Sequence, residues 1–141
     1  MALPNGAGGY QVGDGNLSEP NIGVQAAPET LTGVTSVTLT AAQASSGMLI
    51  ANSGTTATAY VLPIVVGTSS VVGINDAVSS ARTNSTFDLD IINIGGSGGT
   101  ITMTVGTGWT LVGLATIAIS TSAQFRARKT SDTTWTMYRI S

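Results

Sequence analysis

The pattern of hydrophobic and polar positions changes near residue 30. Across Met1–Thr30 (MALPNGAGGYQVGDGNLSEPNIGVQAAPET) neither a helical nor a strand period holds. Leu3, Tyr10, Val12, Leu17, Ile22 and Val24 stand singly among glycines, and Pro4, Pro20 and Pro28 interrupt the backbone. Asp14-Gly15 reads as a turn. So little continuous apolar surface cannot form a core, yet a solvated tail would carry more charge and fewer apolar anchors. The stretch reads as an extended arm that gains its shape on another protein surface. Fully extended, its thirty residues reach on the order of 100 Å, enough to cross a neighbouring subunit.

From Leu31 onward the pattern reads as strands. Gly33–Thr40 places Val37 and Leu39 on one face. Thr40-Ala41-Ala42-Gln43 reads as a capped helical turn that stops near Gly47,. Met48–Ala51 and Ala59–Val66 are β-rich, with Pro63 marking an edge or a strand end,. Val72–Ala81 predicts a short helix with Asn75 near its start. In Thr86–Ile94, Phe87, Leu89 and Ile91 alternate with Asp88, Asp90 and Ile92. The apolar phase then moves to Ile92 and Ile94, which predicts a bulge or a strand buried on both faces,. Gly95–Gly99 reads as a hairpin connection into Thr100–Val105, with Ile101, Met103 and Val105 inward. Strands at Trp109–Val112, Thr116–Ser120, Ala123–Lys129 and Trp135–Ile140 complete the chain. Short strands at even spacing with small polar turns predict an all-β antiparallel sandwich or barrel-like body over residues 31–141, with at most one or two short helices.

Composition sharpens this picture. A body of about 110 residues can bury a single modest core. Charged residues make up only 9% of the chain, against about 25% in ordinary soluble domains. Ser, Thr, Gly and Asn take their place, which implies a surface partly covered by partners. The first basic residue is Arg82, and Asp14, Glu19, Glu29 and Asp76 precede it. Arg126, Arg128, Lys129 and Arg139 lie near the end. Such ends either orient identical subunits head to tail or reflect scatter among few charges. A net charge of −2 disfavours nucleic acid, which needs a dense basic surface. No apolar run approaches the roughly 20 residues of a membrane-spanning helix, and no basic-then-apolar signal pattern opens the sequence.

The chain has no Cys and no His. That removes thiolate nucleophiles, Ser-His-Asp triads and the usual zinc ligand sets. Asp88 and Asp90 face one side of a strand and would suit Ca²⁺ or acid–base work only with further acids nearby; alternation alone explains them as a solvent face. The Gly95–Gly99 loop feeds a strand rather than the helix a phosphate cradle requires. Arg126 and Arg128 share a face opposite Phe125 and Ala127, and suit an acidic partner strip or a charge-protected edge strand. Trp109, Trp135 and Tyr138 suit a sugar platform or, more simply, a core or subunit interface. A Thr100-x-Thr102-x-Thr104 ladder would suit a flat surface, but no repeat sustains it. Asn16-Leu17-Ser18 and Asn84-Ser85-Thr86 match the glycosylation triplet, as short patterns do by chance. No cofactor or metal is implied.

Several strings together resemble small capsid-associated proteins of tailed bacteriophages. They are MALPNGAGGYQVGDGN at the start, LTAAQ at 39–43, LP at 62–63, FDLDIIN at 87–93, GTITMTVGTGWTLVG at 99–113 and FRARKTSDTTWTMYRIS from Phe125. The resemblance implies a head decoration (cement) protein, β-rich and homotrimeric, seated on the outer capsid surface against the major capsid protein. It carries no catalytic residues. The expected partner-binding residues are Leu3, Pro4, Tyr10, Val12, Leu17, Ile22, Val24, Arg126 and Arg128, the partner being the capsid or a neighbouring subunit. The expected location is the virion, after synthesis in the host bacterial cytoplasm, with no nucleic-acid or membrane contact. The alternative is a head-fibre or tail-associated adhesive module that binds a host surface glycan. An enzyme would have to rest on scattered aspartates.

Overall fold

The computed structural model describes residues 25–32 and 35–141. These form β1 (Glu29–Thr32), β2 (Ser36–Thr38), α1 (Ala41–Ala44), β3 (Met48–Asn52), β4 (Thr58–Val61), α2 (Ile74–Ala77), β5 (Thr86–Asn93), β6 (Ile101–Thr104), β7 (Trp109–Val112), β8 (Thr116–Ile117), β9 (Thr121–Lys129) and β10 (Trp135–Arg139). The body is mostly β, as expected, with two one-turn helices. The last two residues of the stretch read as the arm, Glu29 and Thr30, already lie in β1.

The expected antiparallel arrangement is corrected by the strand pairing. Sheet 1 has the order β1-β3-β5-β9-β10-β7 and sheet 2 the order β2-β4-β6-β8. β1, β3 and β5 pair in parallel, and so do β2, β4 and β6. The chain crosses from sheet 1 to sheet 2 and back, so β1–β2, β3–β4 and β5–β6 form three stacked coils. Parallel neighbours need a crossover, and here the crossover runs through the other sheet. Antiparallel pairing enters only where the coils end: β8 on β6, β9 on β5 and β10 on β9. β7 then lies parallel to β10 at the far edge.

The reason the sequence misleads is visible at Gly95–Gly99. A small, glycine-rich link reads as a hairpin, but it joins β5 and β6, which belong to different sheets. It stacks on the equivalent link of the preceding coil, where Gly96 N–H donates to the Gly54 carbonyl at 2.6 Å and Ser53 Oγ to the Gly99 carbonyl at 2.8 Å. Gly98 has φ +88°, and a Cβ there would lie 2.6 Å from the Thr55 carbonyl oxygen, so only glycine lets the two links approach,.

Alternation fills the core from both sheets. Sheet 1 contributes Leu49, Ile91, Leu89, Phe125, Met137 and Trp135, and sheet 2 contributes Tyr60, Ile101, Met103 and Ile117, in one cluster. Tyr60 Oη donates to the Leu31 carbonyl across the sandwich at 3.0 Å, and burial pushes its pKa up to about 12. Phe87, Trp135 and Trp109 form an aromatic run, with ring centroids 5.3 Å and 5.9 Å apart.

The two helical turns lie on the return path from sheet 2 to sheet 1. Thr40 Oγ1 accepts from Gln43 N–H at 3.2 Å while Gln43 Oε1 accepts from Thr40 N–H at 2.9 Å. This is the reciprocal cap that Thr40-x-x-Gln43 predicts. In α2, Asp76 Oδ2 accepts from Gly73 N–H at 2.8 Å. Pro63 follows the end of β4, as a strand-end proline should.

β5 corrects a second expectation. Its register against β9 runs unbroken from Thr86↔Arg128 to Asn93↔Thr121, so there is no bulge. The inward positions are Leu89, Ile91 and then Asn93, while Ile94 is exposed. Asn93, 1% exposed, is buried because its side chain is saturated with hydrogen bonds. Its Nδ2 donates to the carbonyls of Gly99 (2.9 Å), Ile117 (3.1 Å) and Ala118 (3.2 Å), and its Oδ1 accepts from Gly95 N–H (2.9 Å). Val105, expected inward, is also exposed, because β6 stops at Thr104.

Candidate interaction surface

The outer face of sheet 1 carries polar and charged rows. Asp88, Arg126, Tyr138 and Val112 stand side by side, and Thr86, Arg128, Thr136 and Thr110 form the next row. Arg126 and Arg128 therefore share a face, as the sequence indicates, and Phe125 and Ala127 opposite them are buried. They do not guard an edge, because β9 lies between β5 and β10. Arg126 grips Asp88 with a two-toothed fork, Nε to Oδ1 at 2.7 Å and Nη2 to Oδ2 at 2.8 Å. The guanidinium holds the Asp88 carboxyl below the usual carboxylate range, first through this hydrogen bond and then through its charge against the opposing effect of burial. Arg128 donates to Asn84 Oδ1 at 2.7 Å and, more weakly, to Tyr138 Oη at 3.3 Å.

Lys129 does not join them. It points to the inner side, 8% exposed, and its ammonium donates to the Ala81 carbonyl at 3.0 Å with Asp132 Oδ1 at 3.6 Å. Asp90 shares the outer face with Asp88, but Asp88 is committed to Arg126. Among the described residues no group of three or more acidic or other ligating side chains could hold a metal ion.

The aromatic candidates fall on the core side. Trp109 is buried and its Nε1 donates to the Pro63 carbonyl at 2.7 Å. Trp135 is buried and donates to Asn75 Oδ1 at 2.9 Å. Tyr138 is half-buried under Arg128. Asn84, in the Asn-Ser-Thr triplet, sits at φ 73° with its side chain occupied by Arg128.

Sheet 2 presents a different face. Its outward rows are Ser36–Ala59–Thr102–Thr116 and Thr38–Val61–Thr104. The threonine ladder is thus outward over Thr102 and Thr104 but is interrupted sideways by Ala59 and Val61. No strand of sheet 2 carries a charged residue. All ten charged side chains of the described residues belong to sheet 1, to α2 or to the connections around them. Beside Thr38 and Val61 opens a groove of about 410 Å³, lined also by Leu39, Pro63, Ile64, Val71 and Val72. Sequence reasoning missed this face. Its signal is that residues 30–75 and 91–125 hold no charge, but only the strand pairing shows that every sheet 2 strand falls inside those stretches.

The entry of the N-terminal residues into the body is fixed at Gln25, whose side-chain amide donates to the Ser46 carbonyl at 3.0 Å. Leu3, Pro4, Tyr10, Val12, Leu17, Ile22 and Val24, expected to bind a partner, lie outside the described residues. Among the described residues no helix is long and apolar enough to cross a membrane. The chain matches no protein-family model, no curated protein and no solved structure.

Proposed function

We propose that this is a non-enzymatic structural virion protein that decorates and cements the outer surface of a bacteriophage capsid, as a homotrimer at three-fold or quasi-three-fold sites. The observation that carries the reading is the anchored start of the body. Gln25 is pinned to Ser46 and β1 is paired along β3, so the residues before Gln25 leave from a fixed point on a rigid scaffold. Those residues carry the apolar anchors Leu3, Tyr10, Val12, Leu17, Ile22 and Val24. An arm of that kind reaches a neighbouring major capsid protein, and three copies multiply its weak contacts through effective concentration. Contacts available only on the assembled shell stabilise that shell by linkage. The low charge of the body fits a surface partly covered by partners.

The test is deletion of residues 2–24, which leaves Gln25 and β1 in place. The shortened chain should keep its far-ultraviolet dichroism and oligomeric mass but no longer sediment with capsids. Unchanged co-sedimentation would reject the arm's role. The glycan-binding alternative has less support, because Trp109 is inside the core and Tyr138 is tied to Arg128.

A further inference from the structure

The groove beside Thr38 and Val61 has no assigned role, and we infer that residues 20–24 of the same chain lie in it. One wall begins at Thr40 and Ala41, and the lining continues over Val61 to Ser70, Val71 and Val72. Val71 and Val72 are 51% and 63% exposed. A continuous apolar surface of this kind contributes stability only when it is covered.

The path of the incoming chain supplies the cover. β1 runs parallel to β3 with Glu29 opposite Leu49. Carried back to Gln25, that register points to Ser45, and the Gln25 amide bonds the neighbouring Ser46 carbonyl at 3.0 Å. Gln43 Nε2 adds a second tie to Glu29 Oε1 at 2.9 Å. The chain is therefore held against α1 as it enters, and Ala41, the first residue of α1, belongs to the groove wall. A four-residue helical turn is about 6 Å long, a span that two or three extended residues cover. Ile22, three residues before Gln25, thus comes level with Thr40 and Ala41, and Pro20 reaches about 7 Å further toward the valine rim.

The residue types agree with this path. Alternate side chains of an extended chain share a face, which sets Pro20, Ile22 and Val24 together against the groove and Glu19 on the opposite, solvent side. Pro20 has no N–H for an apolar wall to leave without a partner. The groove residues carry no charge. A segment tethered this close to its fixed point has an effective concentration on the order of millimolar, which favours it over a second copy or a free ligand. The contact lies within one chain, so it imposes no symmetry on an assembly. It also leaves Leu3, Tyr10, Val12 and Leu17 to reach a partner, and it does not depend on the capsid reading.

The test uses the full chain in solution, without capsids, and far-ultraviolet dichroism checks folding. The chain has no native cysteine, so introduced thiols report without background. Glu19→Cys with Ser70→Cys keeps Pro20, Ile22, Val24 and both rim valines. Glu19→Cys with Met48→Cys is the control: Met48 is two residues from Ser46 and faces the outer side of sheet 1. In a glutathione buffer the first pair should close a disulfide within one chain with an effective molarity at least about ten-fold above the control. Adding Val72→Asp, which sets a carboxylate on the apolar rim, should lower the first value about ten-fold and leave the control unchanged. Equal values for the two pairs overturn the inference, as does a folded Val72→Asp chain with an unchanged first value. A disulfide found only between chains, at twice 14.1 kDa, overturns it in favour of a second copy. Capsid co-sedimentation is not among these readouts, so the two readings fail separately.

Discussion

Asn93 offers a direct measure of what holds the third coil closed. Its side chain satisfies the Gly95 N–H on one side and the carbonyls of Gly99, Ile117 and Ala118 on the other. All three carbonyls have another donor: Ser53 Oγ at 2.8 Å for Gly99, Thr121 Oγ1 at 2.8 Å for Ala118, and for Ile117 the β6–β8 ladder, in which it pairs with Ile101,. Truncation to Ala therefore leaves the buried Gly95 N–H without its side-chain partner. At about 1–3 kcal/mol for a buried group left without a partner, Asn93→Ala should cost about 2 kcal/mol. That is a sizeable share of a total stability of about 5–15 kcal/mol, and it corresponds to a melting-temperature drop of about 7 °C for a chain of this size. Asn93→Asp should be worse at neutral pH, because it sets a carboxylate against carbonyl oxygens. Its folded pKa would then be raised, so the extra loss should be absent below the ordinary carboxylate pKa and grow as pH rises through the folded value. Urea unfolding followed by far-ultraviolet dichroism measures both. A cost below about 1 kcal/mol for Asn93→Ala, or an Asp variant more stable than the Ala variant at neutral pH, would refute the claim that this side chain satisfies the coil end.

Tyr60 should make the fold sensitive to alkali. Its pKa is raised from 10.0 to about 12, so its contribution is complete below pH 10.0 and declines as pH rises through about 12,. Tyr60→Phe should cost about 1–2 kcal/mol at neutral pH through the lost bond to Leu31, and the stability gap to the parent should narrow in alkaline urea titrations. Asp88 acts with the opposite sign. Its lowered pKa gives stability that is present above the ordinary carboxylate pKa and lost as pH falls through the folded value,. Asp88→Asn should flatten this acid limb slightly, and salt should shrink the difference because the pair is largely exposed,.

What the sequence revealed and what it hid divide along one physical line. Signals carried within a few residues were legible. The Thr40/Gln43 cap, the helical turn at Asn75, the strand end at Pro63 and the inward phase of Phe125 and Ala127 all depend on local spacing. Features that depend on which strand lies beside which were not. A strand such as Thr100–Thr104 alternates in the same way whether its neighbour is parallel or antiparallel, so the three coils were invisible and an antiparallel body was expected. Asn93 was passed over because its burial is made tolerable by carbonyls that are distant in sequence at Ile117 and Ala118. Arg126 and Arg128 read as a free basic pair because Asp88 and Asn84 reach them only through the pairing of β5 with β9 and the turn before it. The uncharged face of sheet 2 had the same fate: its strands are scattered from residue 36 to residue 117.

Trp109 and Trp135 are the chain's two tryptophans, and they touch each other at the β7–β10 edge of sheet 1, far across that sheet from β1. Intrinsic emission is therefore a local reporter. Peeling of the first coil would leave the indole signal unchanged while ellipticity fell, and a mismatch between the two optical transitions would locate where along the stack unfolding begins.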